Sequence, residues 1–167
     1  FVPTDASILR RSLGLEDKKV IVSVGRLVHR KGQDYLIQSM PLILHQVPNA
    51  HLLLVGQGPY LEHLQKLVKE HGLENSVTFI GRVDYKELPQ YLCVGDIFAM
   101  PSRSRLMGLE VEGLGIVYLE ASSCGLPVLA GNSGGAPDAV KQNETGLVVS
   151  GTDEKQIASA AIELLNN

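Results

Sequence analysis

Three cationic side chains stand close together near the start of the sequence. Arg26, Arg30 and Lys31 lie in the glycine-bounded segment 25–32, which directly follows the β-branched run 20–24. A guanidinium group can bind phosphate oxygens in a bidentate manner, and a lysine adds a compact positive charge. Isolated surface cations are more often simply solvated, but cations at the end of a predicted strand favour an anion site. We therefore expect a phosphate group to bind here, held mainly by Arg26 and Lys31.

Two carboxylates, Glu112 and Glu120, form a second candidate site further along the chain. On one continuous helix their spacing would rotate them by roughly 80° and separate them by about 12 Å along the axis, so they would not share a face. Gly113 and Gly115 between them place Glu112 in a loop and Glu120 one turn into a helix. Backbone N–H groups at such a helix start attract anions, and carboxylates accept strong hydrogen bonds from sugar hydroxyls. Alone, Glu120 could be a surface helix residue and Glu112 a capping carboxylate; their combined spacing predicts a diphosphate site with a hydroxyl-bearing group at each end.

Two further glycine-rich segments are weaker signals. The segment 56–58 resembles the start of a dinucleotide-binding motif, but Leu61 stands where that motif has its third glycine, so a plain turn is the better interpretation. The segment 131–138 could hold another part of a ligand or be a bare turn. The sequence has no G-x-x-x-x-G-K-S/T motif, so a P-loop nucleotidase is not predicted.

Alternating strands and helices must position these loops. Strand-length apolar runs alternate along the chain with segments of helical periodicity, which predicts parallel strands joined by right-handed helical crossovers. We therefore expect an α/β fold with a Rossmann-like, doubly wound parallel sheet of about six strands. Ligands of such sheets bind at the carboxyl ends of the strands, where the strand order reverses. The last helix is expected to be capped by Thr152 or Asp153. The predicted strands are 20–24, 51–55, 77–80, 97–100, 128–130 and 147–149, and the predicted helices are 34–45, 60–70, 87–92, 116–123 and 155–165.

Composition narrows the classes of partner. The 167 residues carry a net charge of −3, whereas proteins that bind nucleic acid are usually positively charged. Only 5% of the residues are aromatic and none is Trp, so few side chains could stack on bases. Both features argue against nucleic acid as a partner. Cys93 and Cys124 have no metal-ligand spacing and are expected to be buried thiols of a reduced compartment. The sequence has no apolar run of transmembrane length and no signal-peptide pattern at its start, which predicts a cytoplasmic location. It does not begin with Met, which suggests a piece of a longer protein.

Six motifs follow one another along the chain. They are Gly25-Arg26-Leu27 with Lys31-Gly32, Gly81-Arg82-Val83, an E-x7-E motif from Glu112 to Glu120, Cys124-Gly125-Leu126-Pro127-Val128, the segment 133–138 and the segment 145–149. Taken together, these motifs resemble the C-terminal domain of GT-B glycosyltransferases of the family-4 type, over essentially the whole chain 1–167. Within this family, the segment 102–118 is most similar to phosphatidylinositol mannosyltransferases and their relatives, which implies GDP-mannose as the donor. Related enzymes with UDP- or ADP-sugar donors share much of the same loop.

The resemblance implies a role for each matching residue. Arg26 and Lys31 would hold the donor diphosphate and stabilise the negative charge on the leaving group, while Glu112 would face the transferred sugar. Glu120 would bind the ribose hydroxyls, and Val83 would line the base pocket. The full set of implied donor contacts is Gly25, Arg26, Lys31, Val83, Glu112, Gly113, Leu114, Gly115, Ile116, Val117 and Glu120.

The implied reaction is retaining transfer of a hexose to an acceptor hydroxyl, of a lipid-linked or glycan acceptor, without a bound metal or other cofactor. The sequence contains no D-x-D motif that would hold a divalent ion between phosphates. The family binds its acceptor mainly through an N-terminal domain, which this sequence lacks. We therefore expect the fragment to bind a nucleotide-sugar weakly and to be inactive alone, and expect any peripheral attachment to the inner membrane face to depend on the missing part.

Three other classes of protein are alternatives to this interpretation. A nicotinamide-dependent oxidoreductase needs a G-x-G-x-x-G loop after the first strand, where this chain has a cationic loop. A retaining glycosidase needs two carboxyl groups about 5 Å apart, and the offset between Glu112 and Glu120 argues against that. A non-catalytic nucleotide-binding regulatory module would have the same motifs and stays open at the level of sequence.

Overall fold

A computed structural model describes residues 1–104 and 115–167, and the segment 105–114 lies outside the described residues. Helices and strands alternate through this part of the chain, with short 3-10 turns at three of the connections. The α-helices are α1 (Ser7–Ser12), α2 (Gln33–Gln46), α3 (Leu61–Glu70), α4 (Leu88–Val94), α5 (Ile116–Ser123) and α6 (Glu154–Asn166). The strands are β1 (Lys19–Val24), β2 (Ala50–Val55), β3 (Val77–Gly81), β4 (Ile97–Met100), β5 (Val128–Gly131) and β6 (Gly146–Val149), and the 3-10 turns are His29–Lys31, Tyr85–Glu87 and Ala136–Ala139.

The six strands form one parallel sheet in the order β3-β2-β1-β4-β5-β6. This confirms the predicted Rossmann-like, doubly wound fold. The chain runs outward from β1 to β3, then crosses back to place β4 on the other side of β1, where Ile21 pairs with Ile97 and Val22 with Phe98. The strand order therefore reverses between β1 and β4, and a ligand site is expected at the carboxyl ends of these two strands.

Helices cover both faces of the sheet. Successive side chains of a strand point to opposite faces, so apolar strands present apolar side chains on both faces, and both must be buried. Ile21 of β1 packs into one core with α2, α3 and α6. Its neighbours Val20 and Val22 pack into the other core, which α4 and α5 cover. Apolar residues at both alternating positions are the reason that the strands appear in the sequence as continuous apolar runs.

The first helix, α1, was not predicted, and a single side chain explains its position. The guanidinium group of Arg10 donates hydrogen bonds to the carbonyl oxygens of Leu15 (3.0 Å), Val94 (2.7 Å) and Lys18, and it pairs with the Asp96 carboxylate (3.1 Å). Leu15 and Lys18 closely follow the helix, whereas Val94 and Asp96 lie far along the chain. Together these acceptors fix a six-residue helix that has too few apolar positions for a helical period to show.

Two further expectations from the sequence concern a helix cap and the cysteines. Asp153 caps α6 as predicted, since its carboxylate accepts hydrogen bonds from the backbone N–H groups of Lys155 and Gln156, both at 3.1 Å. Cys124 is a buried free thiol as predicted, whereas Cys93 is a free thiol that is only half-buried. Burial and the neighbouring Cys93 raise the pKa of the Cys124 thiol to about 11. No helix among the described residues is long and apolar enough to cross a membrane.

Candidate functional site

A cleft of about 400 Å³ opens at the carboxyl ends of β1 and β4, where the strand order reverses. One wall comes from the end of β1 and the 3-10 turn that follows it. The other comes from the start of α5, with the start of α4 closing one side. The residues that line the cleft are Val24, Gly25, Lys31, Leu88, Gly115, Ile116, Val117 and Glu120.

The start of α5 supplies backbone donors to this cleft. The helix begins after Gly115, and no side chain in the described ranges 1–104 and 115–167 caps it. The first N–H groups of a helix have no acceptor within the helix, and the helix dipole adds partial positive charge at the same end. Ile116 and Val117 in this first turn both line the cleft. This end of the cleft is therefore suited to an anion such as a phosphate group.

Glu120 lies one turn further along α5 and faces the same cleft. Its Oε2 atom is buried and has no hydrogen-bond partner among residues 1–104 and 115–167. A buried carboxylate oxygen without a donor is unfavourable by about 1–3 kcal/mol, or more for a charged group. The arrangement therefore favours a ligand that brings a hydroxyl or N–H donor to this oxygen.

Tyr85, in the 3-10 turn after β3, also approaches Glu120. Desolvation and the nearby Glu120 carboxylate raise the pKa of Tyr85. The tyrosine ring remains 69% exposed and contacts the ring of Phe1, with 5.4 Å between the ring centroids. Sequence reasoning missed Tyr85, because no motif marks a residue that reaches Glu120 from another loop.

The cationic loop is held against the segment that follows β4. Gly32 has a left-handed backbone (φ 78°), and a Cβ atom there would lie 2.7 Å from the Pro101 carbonyl carbon. Only glycine allows the two backbones to approach so closely. Lys31, which directly precedes Gly32, thereby reaches the mouth of the cleft from the β1 side.

A buried ion pair fixes the same two segments more strongly. Arg103, after β4, makes a bidentate salt bridge to Asp34 of α2, with Nη1–Oδ1 and Nη2–Oδ2 distances of 2.6 and 2.7 Å and side-chain exposures of 6% and 7%. The Arg103 backbone N–H also donates to the carbonyl of Arg30 (2.8 Å). Burial disfavours the ionised carboxylate, but hydrogen bonds and the charge of Arg103 outweigh it and lower the pKa of Asp34.

This ion pair is a positioning element that the sequence did not reveal. Tyr60 donates a hydrogen bond to Asp34 Oδ2 (3.1 Å), and the Arg103 guanidinium lies 5.0 Å from the centroid of the Tyr35 ring. The pair therefore ties the cationic loop and the start of α2 to the segment that leads from β4 toward α5.

The structure brings together most, but not all, of the predicted site residues. Arg26 lines a neighbouring hollow of about 620 Å³ rather than the cleft itself. Val83 is half-buried and packs against the core on the α4 and α5 side of the sheet. Glu112, Gly113 and Leu114 lie outside the described residues. The predicted residues that do line the cleft are Gly25, Lys31, Gly115, Ile116, Val117 and Glu120.

The first glycine-rich segment is explained by the packing of the backbone. A Cβ atom on Gly58 would lie 2.8 Å from the Leu27 backbone nitrogen, so this glycine is needed for contact between the loops after β1 and β2. The turn expected at 56–58 lies directly after that segment, at residues 59–60. Within the described part of the chain, no group of three or more His, Cys, Asp or Glu side chains is arranged to hold a metal ion.

Comparison with known proteins assigns the class of this fold and site. The family model described as glycosyl transferases group 1 matches residues 5–167, and the chain belongs to this family. A crystal structure of Anabaena HepE in complex with UDP superposes with a TM-score of 0.86 at 29% identity, covering 99% of this chain and 44% of the other. The chain thus has the fold of one domain of a GT-B glycosyltransferase.

Two curated relatives show a more specific similarity. The chain is 50% identical, over 163 residues, to a GDP-mannose-dependent alpha-(1-6)-phosphatidylinositol monomannoside mannosyltransferase of Mycobacterium tuberculosis, covering 98% of this chain and 42% of the relative. It is 48% identical, over 166 residues, to a GDP-mannose-dependent monoacylated alpha-(1-6)-phosphatidylinositol monomannoside mannosyltransferase of Corynebacterium glutamicum, covering 99% of this chain and 43% of the relative. The chain therefore spans less than half the length of these two relatives.

Proposed function

We propose that residues 1–167 form the donor-binding domain of a retaining, metal-independent mannosyltransferase that uses GDP-mannose. The observation that carries this proposal is the Oε2 atom of Glu120, which is buried and has no hydrogen-bond partner among the residues that the structure describes. It lies in a cleft that also receives Lys31 and the start of α5. One site thus combines an acceptor for hydroxyl hydrogens with donors for phosphate oxygens. A nucleoside diphosphate carries both groups in adjacent positions.

In the proposed complex, the ribose hydroxyls donate hydrogen bonds to Glu120. The diphosphate lies against the start of α5 and Lys31, with Arg26 approaching from the neighbouring hollow. The base lies toward Val83, and the sugar lies toward Glu112, with Gly25 leaving room for the ligand beside β1. The placements at Glu120, Lys31 and the start of α5 are supported by the residues that line the cleft, and those at Arg26, Val83 and Glu112 by the sequence motifs.

Catalysis in this scheme depends on charge stabilisation. The bond between the sugar's anomeric carbon and the diphosphate oxygen breaks, and the acceptor hydroxyl oxygen forms the new bond on the same face of the sugar. The acceptor hydroxyl finally passes its proton to the departing diphosphate. Negative charge then accumulates on the nucleoside diphosphate. Lys31, Arg26 and the backbone N–H groups at the start of α5 are pre-arranged to stabilise it, which is the type of electrostatic contribution that dominates in many enzymes.

The choice of donor and acceptor is supported by the relatives. The two curated relatives described above are named for GDP-mannose and for phosphatidylinositol mannoside acceptors. We infer the same donor and a lipid-linked acceptor of this class. The acceptor would be bound mainly by a further domain outside this chain, at the cytoplasmic face of a membrane. The chain alone would bind the donor without transferring mannose.

Calorimetric titration with GDP-mannose, UDP-glucose and ADP-glucose tests the proposal. We expect GDP-mannose to bind most tightly. Glu120→Gln and Lys31→Ala should each weaken it by roughly tenfold to a hundredfold, because hydrogen bonds to charged groups contribute about 1.5–3 kcal/mol.

Glu62→Gln is the matched control, since it removes one carboxylate from the exposed face of α3 and should leave the affinity unchanged. Unchanged affinity in both Glu120→Gln and Lys31→Ala would contradict the proposed site. Tighter binding of a UDP- or ADP-sugar would contradict the proposed donor while leaving the site in place.

A further inference from the structure

Apolar residues occur all around helix α5, so burial of apolar surface does not by itself select one rotation of the helix about its axis. Ile116 and Leu119 are exposed although both are large and apolar. In the described part of the chain, the buried residues of α5 are Tyr118 and Ala121. A helix with one apolar stripe buries that stripe, and α5 has no such stripe. Another contact must therefore fix the direction in which Glu120 points.

The hydroxyl group of Tyr118 makes a contact of this kind. The Tyr118 side chain is fully buried, and its ring meets the Phe98 ring edge-on, with 5.9 Å between the ring centroids. The hydroxyl donates a hydrogen bond to the Met100 carbonyl oxygen (2.6 Å) and lies 3.0 Å from the hydroxyl of Ser102, which is also fully buried. A rotation of α5 away from this position would leave a buried hydroxyl without these partners, which is unfavourable.

The partners of this hydroxyl belong to a segment that is itself held in place. The Ser102 N–H donates to the Met100 carbonyl (2.8 Å), at the end of β4. The next residue, Arg103, donates from its backbone N–H to the Arg30 carbonyl (2.8 Å), in the loop that carries Lys31. This segment therefore contacts the cationic loop on one side and α5 on the other. The Tyr118 hydroxyl joins the α5 wall of the cleft to the wall that carries Lys31.

The position of Tyr118 on α5 gives its hydroxyl control over Glu120. The two residues are two positions apart, so their side chains point in directions that differ by about 200° around the helix axis. Tyr118 packs into the core beneath α5, whereas Glu120 lines the cleft. A rotation that displaces the Tyr118 hydroxyl would therefore turn the Glu120 carboxylate by the same angle.

We infer that Tyr118, through the Met100 carbonyl and the Ser102 hydroxyl, is a positioning residue that holds the Glu120 carboxylate in the cleft. This role rests on the proposed function, in which the ribose hydroxyls donate hydrogen bonds to Glu120. Tyr118 is not among the described residues that line the cleft, so its effect on the ligand is indirect.

The test is calorimetric titration of the 167-residue chain with GDP and with 2′,3′-dideoxy-GDP, which lacks both ribose hydroxyls. The unmodified chain should bind GDP at least about tenfold more tightly than the dideoxy compound. Tyr118→Phe, which keeps the ring, should reduce this ratio by about fivefold and change the affinity for the dideoxy compound little. A merely structural role would weaken the binding of both ligands alike. Tyr91→Phe, which removes a hydroxyl from a half-buried tyrosine of the same core, should leave the ratio unchanged.

A double variant separates the position of Glu120 from the stability of the fold. Tyr118→Phe alone leaves the Ser102 hydroxyl buried without this partner, so urea denaturation should show a loss of stability. Tyr118→Phe combined with Ser102→Ala removes both hydroxyls and should regain part of that stability, because replacement of both partners by apolar groups is nearly neutral. The ratio of GDP to dideoxy-GDP affinity should nevertheless stay low in the double variant.

An unchanged ratio in Tyr118→Phe, or a ratio that recovers together with stability in the double variant, would overturn the inference. Equal binding of GDP and dideoxy-GDP by the unmodified chain would instead contradict the proposed contact of Glu120 with ribose. Amide hydrogen exchange without ligand then decides on Tyr118. The α5 amides should exchange about fivefold faster in Tyr118→Phe while the α4 amides are unchanged, and equal rates in α5 would overturn the inference.

Discussion

The Asp34–Arg103 ion pair is the most buried charged contact described in the molecule, and it lies beside the cleft rather than in it. Its two side chains are 6% and 7% exposed, and both oxygens of Asp34 accept from Arg103. A buried pair of this kind need not add much net stability, because both charges lose their hydration. Removal of one partner, however, leaves the other charged and buried.

Arg103→Met should therefore lower the free energy of unfolding by about 3–5 kcal/mol, measured by urea denaturation at neutral pH. Arg103→Lys should lie between Arg103→Met and the unmodified chain, because it keeps the charge without the bidentate geometry.

The control is Arg11→Met, which breaks a pair with Glu16 of similar length (2.7 Å) but with side-chain exposures of 73% and 54%. An exposed pair contributes only about 0–1 kcal/mol, so the control should change stability little. Equal losses in Arg103→Met and Arg11→Met would show that burial does not set the importance of the Asp34–Arg103 pair.

At the level of elements, the sequence predicted every strand of the sheet and the helices α2 to α6. The helix predicted at 116–123 has the same bounds as α5, and the strand predicted at 20–24 is one residue short of β1. Long apolar runs and helical periods carry this information because they reflect burial on the sheet and on helix faces. Helix α1 was missed because Arg10 fixes it through tertiary hydrogen bonds that no local pattern records.

Close packing between strand ends explains glycines that the sequence left open to a ligand role. A Cβ atom on Gly131, the last residue of β5, would meet the backbone oxygen and nitrogen of Ser102 and lie 2.5 Å from the Pro101 carbonyl carbon. The glycine is therefore required by the segment after β4, which continues into Arg103. A ligand at 131–138 is not needed to explain it.

Gly131→Ala should lower the free energy of unfolding by on the order of 3 kcal/mol, because backbone atoms must move to admit the methyl group. Gly72→Ala is the comparison, since a Cβ atom there has nothing within 4 Å and only the left-handed backbone (φ 64°) is strained. That strain amounts to about 1 kcal/mol. If Gly131→Ala were no more destabilising than Gly72→Ala, the packing of β5 against Ser102 would not be the reason for this glycine.

For the whole molecule, the sequence predicted the edge of the sheet where the site lies, but not the direction of each side chain. Lys31 and Glu120 line one cleft, as the motifs suggested. Arg26 stands in the same loop as Lys31, yet it lines the neighbouring hollow with Arg82. Motif spacing places residues on loops, whereas the hollow that a side chain lines depends on contacts between loops.

The stability of the whole molecule should depend on pH through His51 in β2. Its side chain is 7% exposed in the core, and its Nε2 atom lies 2.7 Å from the Thr78 hydroxyl of β3. Burial, with a smaller effect of the Lys18 charge, lowers the pKa of His51 below its ordinary value of 6.5. The protonated ring carries an N–H at Nδ1, which is buried and has no hydrogen-bond partner in the described ranges.

The direction of the pH effect on stability follows from the lowered pKa of His51. Below pH 6.5 the unfolded chain takes up a proton at His51 that the folded chain does not, so the unfolded state gains stability. The free energy of unfolding should therefore fall as the pH decreases from 7.5 through this range, and level off below the folded pKa. Asp34, whose pKa is also lowered, contributes stability that is present above pH 3.8 and is lost only at lower pH, outside this window.

Urea denaturation at pH 7.5 and pH 5.5 measures this effect as a difference between two chains. His51→Gln keeps a hydrogen-bonding side chain next to Thr78 but cannot be protonated, so the loss of stability on acidification should be smaller than in the unmodified chain. His45→Gln, which replaces an exposed histidine at the end of α2, should retain the full dependence. Because all other titratable groups are shared, an identical pH dependence in the unmodified chain and His51→Gln would show that His51 can be protonated within the folded sheet.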